Sequence, residues 1–346
     1  MSSTICIFFP EMRKLDKKGG TAMCTAITYR TKDHYFGRNL DLEYRYREAV
    51  TITPRNYPFR FRFQGELPRH HAIIGMAYVT EGYPLYYDAV NEKGLAMAGL
   101  NFPGYAAYQP VGEGGCGVAP FELIPWVLGQ CATVEEAKAL LIGLTLVEEH
   151  FSRDLPLTPM HWLAADREEA LVVEPLADGL HLRDDPVGVL TNSPPFDVQL
   201  LHLTQYLGLS REPMENRMAP GLTLESYSRG MGAMGLPGDL SSTSRFVRAA
   251  FTRWNSVAGE GEEESVSQFF HILGAVEQQR GCARLPDGSY EITNYTSCIN
   301  TDKGIYYYTT YENHCISAVD MHRCDLAGEG LCIFPLVREQ QFLWLN

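Results

Sequence analysis

Met23-Cys24-Thr25-Ala26-Ile27-Thr28-Tyr29-Arg30, running on to Tyr35-Phe36-Gly37-Arg38-Asn39-Leu40-Asp41, decides how this 346-residue chain is read. Two runs rich in β-branched and aromatic residues flank Thr31-Lys32-Asp33-His34, which predicts strands at Cys24 to Tyr29 and Tyr35 to Arg38 around a four-residue turn. Pairing Arg30 with Tyr35 sets Asp41 opposite Cys24, at roughly 5 Å between cross-strand neighbours and give or take one residue of register. Arg38 then points to the other face of a regular strand. Gathering Arg38 and Asp41 into one site therefore requires a bend or bulge after Arg38. From spacing alone, a surface ion pair on an edge hairpin is the favoured reading of the two charges.

Cys24 has a second interest. If the residues before it are absent from the mature protein, its thiol and its α-amine belong to one residue. An α-amine titrates near pH ~7.7 to 8.0 and can take the thiol proton, so nucleophilic chemistry needs no histidine. Met1 to Ala22 do not form a secretion signal, because Ile5-Cys6-Ile7-Phe8-Phe9 is cut short by Pro10 and the basic residues follow it. The codons of Lys17-Lys18-Gly19-Gly20 can spell a purine-rich ribosome-binding site ahead of Met23. Residues 1–23 are expected to be absent from the mature protein, as translated upstream DNA or as a removed propeptide, and 24–346 to form a single domain. An ordinary flexible N-terminus is the alternative.

A chain that is 45% hydrophobic can bury a large core, and no linker, repeat or low-complexity tract divides it. No apolar run reaches about 18 residues, so no membrane span is expected. The net charge of -13 argues against nucleic acid and for a small-molecule partner. Nine cysteines, with no C-x-x-C pair, read as reduced thiols of a cytoplasmic protein. His314, Cys315, His322, Cys324 and Cys332 match no zinc spacing, and buried thiols with surface histidines are favoured there.

Further strands are expected at Ala72 to Val79, Leu85 to Val90, Leu95 to Asn101, His161 to Ala165, Ala170 to Glu174 and Val187 to Thr191. Glu291 to Asn300, Gly304 to Tyr311 and Cys315 to Met321 add three more. Helices are expected at Pro120 to Gln130, Val134 to Ile142 behind a Thr133-x-x-Glu136 capping box, Ser244 to Trp254 and Ser265 to Glu277. Helices in blocks between runs of hairpins favour an α+β sandwich of antiparallel sheets.

Asn101 and Asn192 each end a strand just before a proline-containing turn, where an amide or backbone N-H can be aimed at a ligand. Ordinary turn chemistry accounts for both equally well. Arg245 falls in the first turn of its helix, an unfavourable end of the dipole for a cation, which implies a negative partner or a solvated side chain. The papain-type Cys signature and the G-x-S-x-G elbow are both absent.

Taken in order, Met23-Cys24-Thr25, Gly37-Arg38-Asn39-Leu40-Asp41, Asn91-Glu92-Lys93-Gly94-Leu95, Ala98-Gly99-Leu100-Asn101-Phe102-Pro103-Gly104-Tyr105, Leu190-Thr191-Asn192, Leu236-Pro237-Gly238-Asp239 and Ser244-Arg245-Phe246-Val247-Arg248 closely resemble the choloylglycine hydrolase family. That family contains bile salt hydrolases and penicillin V acylases. The resemblance implies a four-layer αββα N-terminal-nucleophile hydrolase sandwich with two antiparallel sheets, usually a cytoplasmic homotetramer, that cleaves an amide without metal or organic cofactor. Position by position it implies Cys24 as nucleophile, Arg38 and Asp41 as its supporting pair, Asn101 and Asn192 as oxyanion donors and Arg245 as the active-site arginine. The Leu-Asn-Phe-Pro-Gly-Tyr run resembles bile salt hydrolases, implying a glycine- or taurine-conjugated bile acid as substrate. Leu40, Met160 and Phe151 are then expected in an apolar cleft for the steroid. Ser228-Arg229-Gly230 resembles a variant associated with glycine conjugates, which makes Arg229 a candidate for their carboxylate. A penicillin V acylase, another N-acyl amide or lactone acylase, and a non-catalytic steroid-binding protein are the competing readings.

Overall fold

The computed structural model describes residues 23–112 and 117–346. The leader expected at residues 1–23 lies outside the described residues except for Met23. The hairpin quoted above forms β1 (Cys24–Arg30) and β2 (His34–Leu42), which lead into β3 (Ala49–Thr53), β4 (Phe59–Phe61), β5 (Gly65–Leu67), β6 (Ile73–Thr80), β7 (Tyr83–Asn91) and β8 (Ala96–Asn101). Two helices, α1 (Leu123–Gln130) and α2 (Val134–Leu141), precede β9 (Met160–Ala165), β10 (Ala170–Leu176), β11 (Gly179–Asp184) and β12 (Val189–Leu190). The last part holds α3 (Phe196–Leu203), α4 (Ser242–Asn255), α5 (Glu262–Gly274), β13 (Ile292–Asn300), β14 (Ile305–Thr310), β15 (Ser317–Asp320) and β16 (Cys332–Pro335).

Six strands pair in the order β12-β1-β2-β13-β14-β15 and eight in the order β11-β10-β9-β8-β7-β6-β3-β16. Both sheets are antiparallel, so each strand can offer one face to the other sheet and one to a helix layer. Helices α4 and α5 pack on β1, β2, β12 and β13, whereas α1 and α2 pack on β6, β7, β8 and β10. The result is the αββα sandwich. Phe36, Ala26, Leu100, Leu163 and Ala165 fill the space between the sheets, and Leu95, Met97, Trp162 and Ala164 face α1.

The local signals explain several boundaries. Thr133 Oγ1 accepts from the Glu136 N-H at 3.2 Å and the Glu136 carboxylate accepts from the Ala132 N-H at 2.6 Å, which starts α2 as expected. The turn before β8 closes through the Gly94 N-H to the Asn91 carbonyl at 3.0 Å, with Gly94 at φ 94°, a conformation open to glycine.

The first hairpin departs from expectation by one residue. Arg30 pairs with His34, so Cys24 faces Leu40, and Asp41 lies beyond it with its N-H on the Met23 carbonyl at 3.1 Å. His34 joins the strand because the 301–302 turn receives it: its N-H donates to Asp302 Oδ2 at 2.7 Å and its carbonyl accepts from the Thr301 N-H at 3.0 Å. The irregularity expected after Arg38 exists, but on the neighbouring strand. Register shifts between Thr293 and Tyr295, leaving Asn294 as the extra residue of β13 opposite the Leu40-Asp41 step.

Candidate active site

Cys24 opens β1 with its side chain on the inter-sheet face, beside that of Leu40, and is 3% exposed. Its neighbours alternate in facing. Ala26 and Arg38 share the inner face, whereas Thr25, Asn39 and Asp41 face the helices: Asn39 Nδ2 donates to the Leu273 carbonyl in α5 at 3.0 Å. Arg38 and Asp41 thus approach Cys24 from opposite faces of one sheet. They meet there because Cys24 is at a strand end, with no further pair to screen either side.

Arg38 crosses to the other sheet. The registered pairs of β7 and β8 stop at Asp88 with Ala98, although both strands continue. On its other side β7 carries a bulge at Tyr87, since Met76 pairs with Asp88 and Ala77 with Tyr86. The two strands therefore part like a fork. Arg38 Nη1 donates to both freed carbonyls, Gly99 and, at 3.2 Å, Tyr87, while Nε donates to its neighbour Asn39 at 3.3 Å. A cavity of about 240 Å³ opens at the fork, bounded by Cys24 and Arg38 at one end and walled by Leu40, Leu42, Phe121, Ile124, Phe151 and Met160.

Arg245 comes from the start of α4, which Ser241 caps by accepting the Ser244 N-H at 3.4 Å. Its guanidinium is fully buried and donates to the Cys24 carbonyl at 2.5 Å, Thr25 Oγ1 at 2.7 Å and Asn192 Oδ1 at 2.7 Å. The unfavourable dipole is offset by this ring of oxygens and by the charge of Asp41. Asn192 follows β12 and is held by its N-H on Ser242 Oγ at 2.9 Å and by its carbonyl, which accepts from Gln199 Nε2 at 3.2 Å. Its Oδ1 accepts from the Cys24 nitrogen at 2.8 Å as well as from Arg245, so Nδ2 must point away, and it donates to the Asn101 carbonyl at 2.7 Å. Asn101 and Asn192 are consequently side by side at the cavity end.

The charges are set by burial first. Burial pushes the Cys24 thiol up, and Arg38 opposes it by favouring the thiolate. Burial likewise raises Asp41 to about 6, against Arg245 and the Thr293 hydroxyl, which donates to Asp41 Oδ1 at 2.6 Å. Glu291, raised to about 8 by burial, accepts the Met23 N-H at 2.5 Å. Met23 is therefore gripped on both sides, by Glu291 at its nitrogen and by Asp41 at its carbonyl.

Of the substrate-contact candidates, Leu40, Phe151 and Met160 line the cavity with Cys24. Arg229 does not: it is exposed, in the segment between α3 and α4, and is not part of the cavity wall. Several contributors carried no motif. Tyr87, Ser242, Gln199 and Glu291 act through backbone carbonyls or side-chain hydrogen bonds that depend on tertiary approach. His161 stacks on Phe102 at 4.2 Å between centroids and donates from Nε2 to the Thr191 carbonyl at 2.8 Å, steadying the residue before Asn192. Among the described residues no group of three His, Cys, Asp or Glu side chains is arranged to hold a metal ion, and no described helix is long and apolar enough to cross a membrane.

Comparison with known proteins gives the same picture. The sequence model of the linear amide C-N hydrolases, choloylglycine hydrolase family, matches residues 24–334. A bile salt hydrolase/transferase of Lactiplantibacillus plantarum is 53% identical over 324 residues, covering 94% of this chain and 100% of the relative. The crystal structure of a mutant conjugated bile acid hydrolase from Clostridium perfringens superposes with a TM-score of 0.86 at 36% identity, covering 93% of this chain and all of the other. A penicillin V acylase from Agrobacterium tumefaciens shares the fold, with a TM-score of 0.71 at 21% identity over 89% of this chain and 90% of the other. The chain is a linear amide C-N hydrolase with the fold of the N-terminal-nucleophile hydrolases, and it belongs to the choloylglycine hydrolase family.

Proposed function

We propose that the protein is a bile salt hydrolase that cleaves the amide of glycine- or taurine-conjugated bile acids, with Cys24 as the N-terminal residue of the mature enzyme. The observation that carries this reading is the apolar cavity at the β7/β8 fork, which begins at Cys24 and has walls suited to a rigid hydrocarbon skeleton. The likeness to bile salt hydrolases over nearly the whole chain supports the substrate class.

In this reading the free α-amine takes the thiol proton while Arg38 and Arg245 favour the thiolate, and Asp41 orients the ammonium. Sγ attacks the amide carbonyl. The backbone N-H of Asn101 and Nδ2 of Asn192 receive the oxyanion, the ammonium gives its proton to the leaving amine, and water cleaves the thioester. Residues 1–23 must be absent for this to work, since an amide nitrogen at Cys24 cannot accept a proton. Exposed Leu207, Met218, Leu222, Leu224 and Tyr227 between α3 and α4 support assembly into a homotetramer. The seven described cysteines are all free, which supports a reducing cytoplasm.

The test is turnover of glycocholate, taurocholate and penicillin V by protein whose first residue, by intact mass, is Cys24. Release of glycine or taurine is expected, and rapid cleavage of penicillin V with no release from the conjugates would reject the substrate class.

A further inference from the structure

Asp88 stands at the apex of the fork, in the last registered pair before β7 and β8 separate and in the last pair before the Tyr87 bulge. Its backbone belongs to the eight-stranded sheet, yet its fully buried carboxylate is held by the six-stranded one: it accepts from Tyr295 Oη at 2.5 Å, Tyr306 Oη at 2.7 Å and Ser297 Oγ at 2.9 Å. Ser297 Oγ in turn accepts the Arg38 N-H at 3.0 Å, so one hydroxyl joins the carboxylate to the arginine backbone.

Arg38 itself is buried with a charge that needs compensation. Its Nε and Nη1 go to neutral carbonyls, which aim the group without opposing its charge, and Nη2 has no hydrogen-bond partner. The ionisable groups close to it are Cys24, Tyr295, Asp88 and Asp41. Cys24 is the group to be activated, Tyr295 already donates to Asp88, and Asp41 lies on the opposite face of β2. Asp88 is left as the standing anion of the inter-sheet space. Burial pushes its carboxyl above the ordinary carboxylate value, and Arg38 together with the three hydroxyl donors opposes that push by favouring the ionised form.

We propose that Asp88 is a positioning residue for Arg38: a buried counter-charge that keeps the guanidinium bridged across the parted strands and within reach of Cys24. Without it, the fork carbonyls hold a cation that has no opposite charge, and the side chain withdraws toward the open cavity. The proposal rests on the reading of Cys24 as the nucleophile.

The test uses mature enzyme beginning at Cys24. For Asp88→Asn, the rate of Cys24 alkylation by iodoacetamide is followed against pH, with kcat and KM for glycocholate measured alongside. The alkylation midpoint is expected to rise by about one pH unit, and kcat to fall at least about tenfold with KM within about threefold. The sign is decisive, because loss of a negative charge alone, with Arg38 in place, would lower the midpoint. In an Arg38→Met background, Asp88→Asn should raise the midpoint no further, since only the direct loss of negative charge is left and that lowers it. A midpoint that falls or stays in Asp88→Asn alone, or an effect that adds fully to that of Arg38→Met, overturns the proposal. Should Asp88→Asn not fold, Tyr306→Phe removes one donor from the carboxylate, and a smaller rise is expected; an unchanged midpoint there overturns the proposal equally. Failure of the underlying reading has a separate signature, namely glycocholate turnover that survives complete alkylation of Cys24 in the unsubstituted enzyme.

Discussion

The Cys24 nitrogen donates to Asn192 Oδ1 across 2.8 Å, and the same oxygen accepts from Arg245. Two donors on one oxygen leave the Asn192 amide a single orientation, with Nδ2 turned to the Asn101 carbonyl. Asn192→Ala is therefore expected to lower kcat for glycocholate about 100-fold, as loss of one oxyanion donor does elsewhere, with little change in KM. A change in KM alone would make Asn192 a binding residue.

Protein that retains Met23 should be inactive, since the Cys24 nitrogen is then an amide and Met23 is hydrogen-bonded to both Glu291 and Asp41. Cys24→Ser in the processed form is expected to lose at least about 100-fold in kcat, because an alkoxide is harder to form than a thiolate at neutral pH. Intact-mass measurement paired with glycine release checks both. Full activity with Met23 attached would remove the α-amine from the mechanism.

Glu122, in the turn that leads into α1, is 1% exposed and burial raises it from 4.5 to about 7, against the Arg62 and Ala119 N-H groups that it accepts. The folded protein thus keeps a proton that the unfolded chain releases. Its contribution to stability is complete below about pH 4.5 and is lost as pH rises through about 7. Glu122→Gln cannot ionise but keeps one of the two acceptor oxygens, so it carries a fixed loss at every pH, and its Tm relative to the parent should rise by about 3 °C between pH 4.5 and pH 8. Calorimetry across that range decides, and a relative Tm that does not rise with pH contradicts the assignment.

A Cβ on Gly99 would lie 2.3 Å from the Met160 terminal methyl and 3.1 Å from the Trp162 indole nitrogen. Met160 is flexible at that end and can swing aside, but only into the cavity it lines. Gly99→Ala should raise KM for glycocholate about tenfold while kcat and Tm change little. A collapse in Tm instead would mean that the wall cannot yield.

Elements governed by their own residues were legible from the sequence. The capping box of α2, the Asn91-Gly94 turn and the β-branched and aromatic content of β13 are local chemistry, and all formed near their expected bounds. Short or unmarked elements escaped: β3 and β16 are brief, β11 is an edge strand, and α3, as long as α2, has no side-chain cap to announce its start. The hairpin register was off by one because His34 is drawn into β2 by residues 301 and 302, far away in sequence. Cys24, Arg38, Asp41, Asn101, Asn192 and Arg245 were nameable through family resemblance, and the structure gathers all six. Arg229 was named the same way and stays outside. Asp88 and Tyr87 were invisible because the fork arises from two hairpins that diverge, which no single segment encodes.

The fork has a consequence for how such an enzyme can change. One guanidinium both closes the gap between β7 and β8 and faces the thiol, so a substitution that reshapes the opening for a different acyl group also disturbs the reactivity of the sulfur. Substrate choice and chemical power are thereby tethered at this point. Variation in what the enzyme accepts is expected to accumulate on the far wall, around Phe121 and Phe151, where a new side chain can alter the fit and leave the charge at Cys24 as it was.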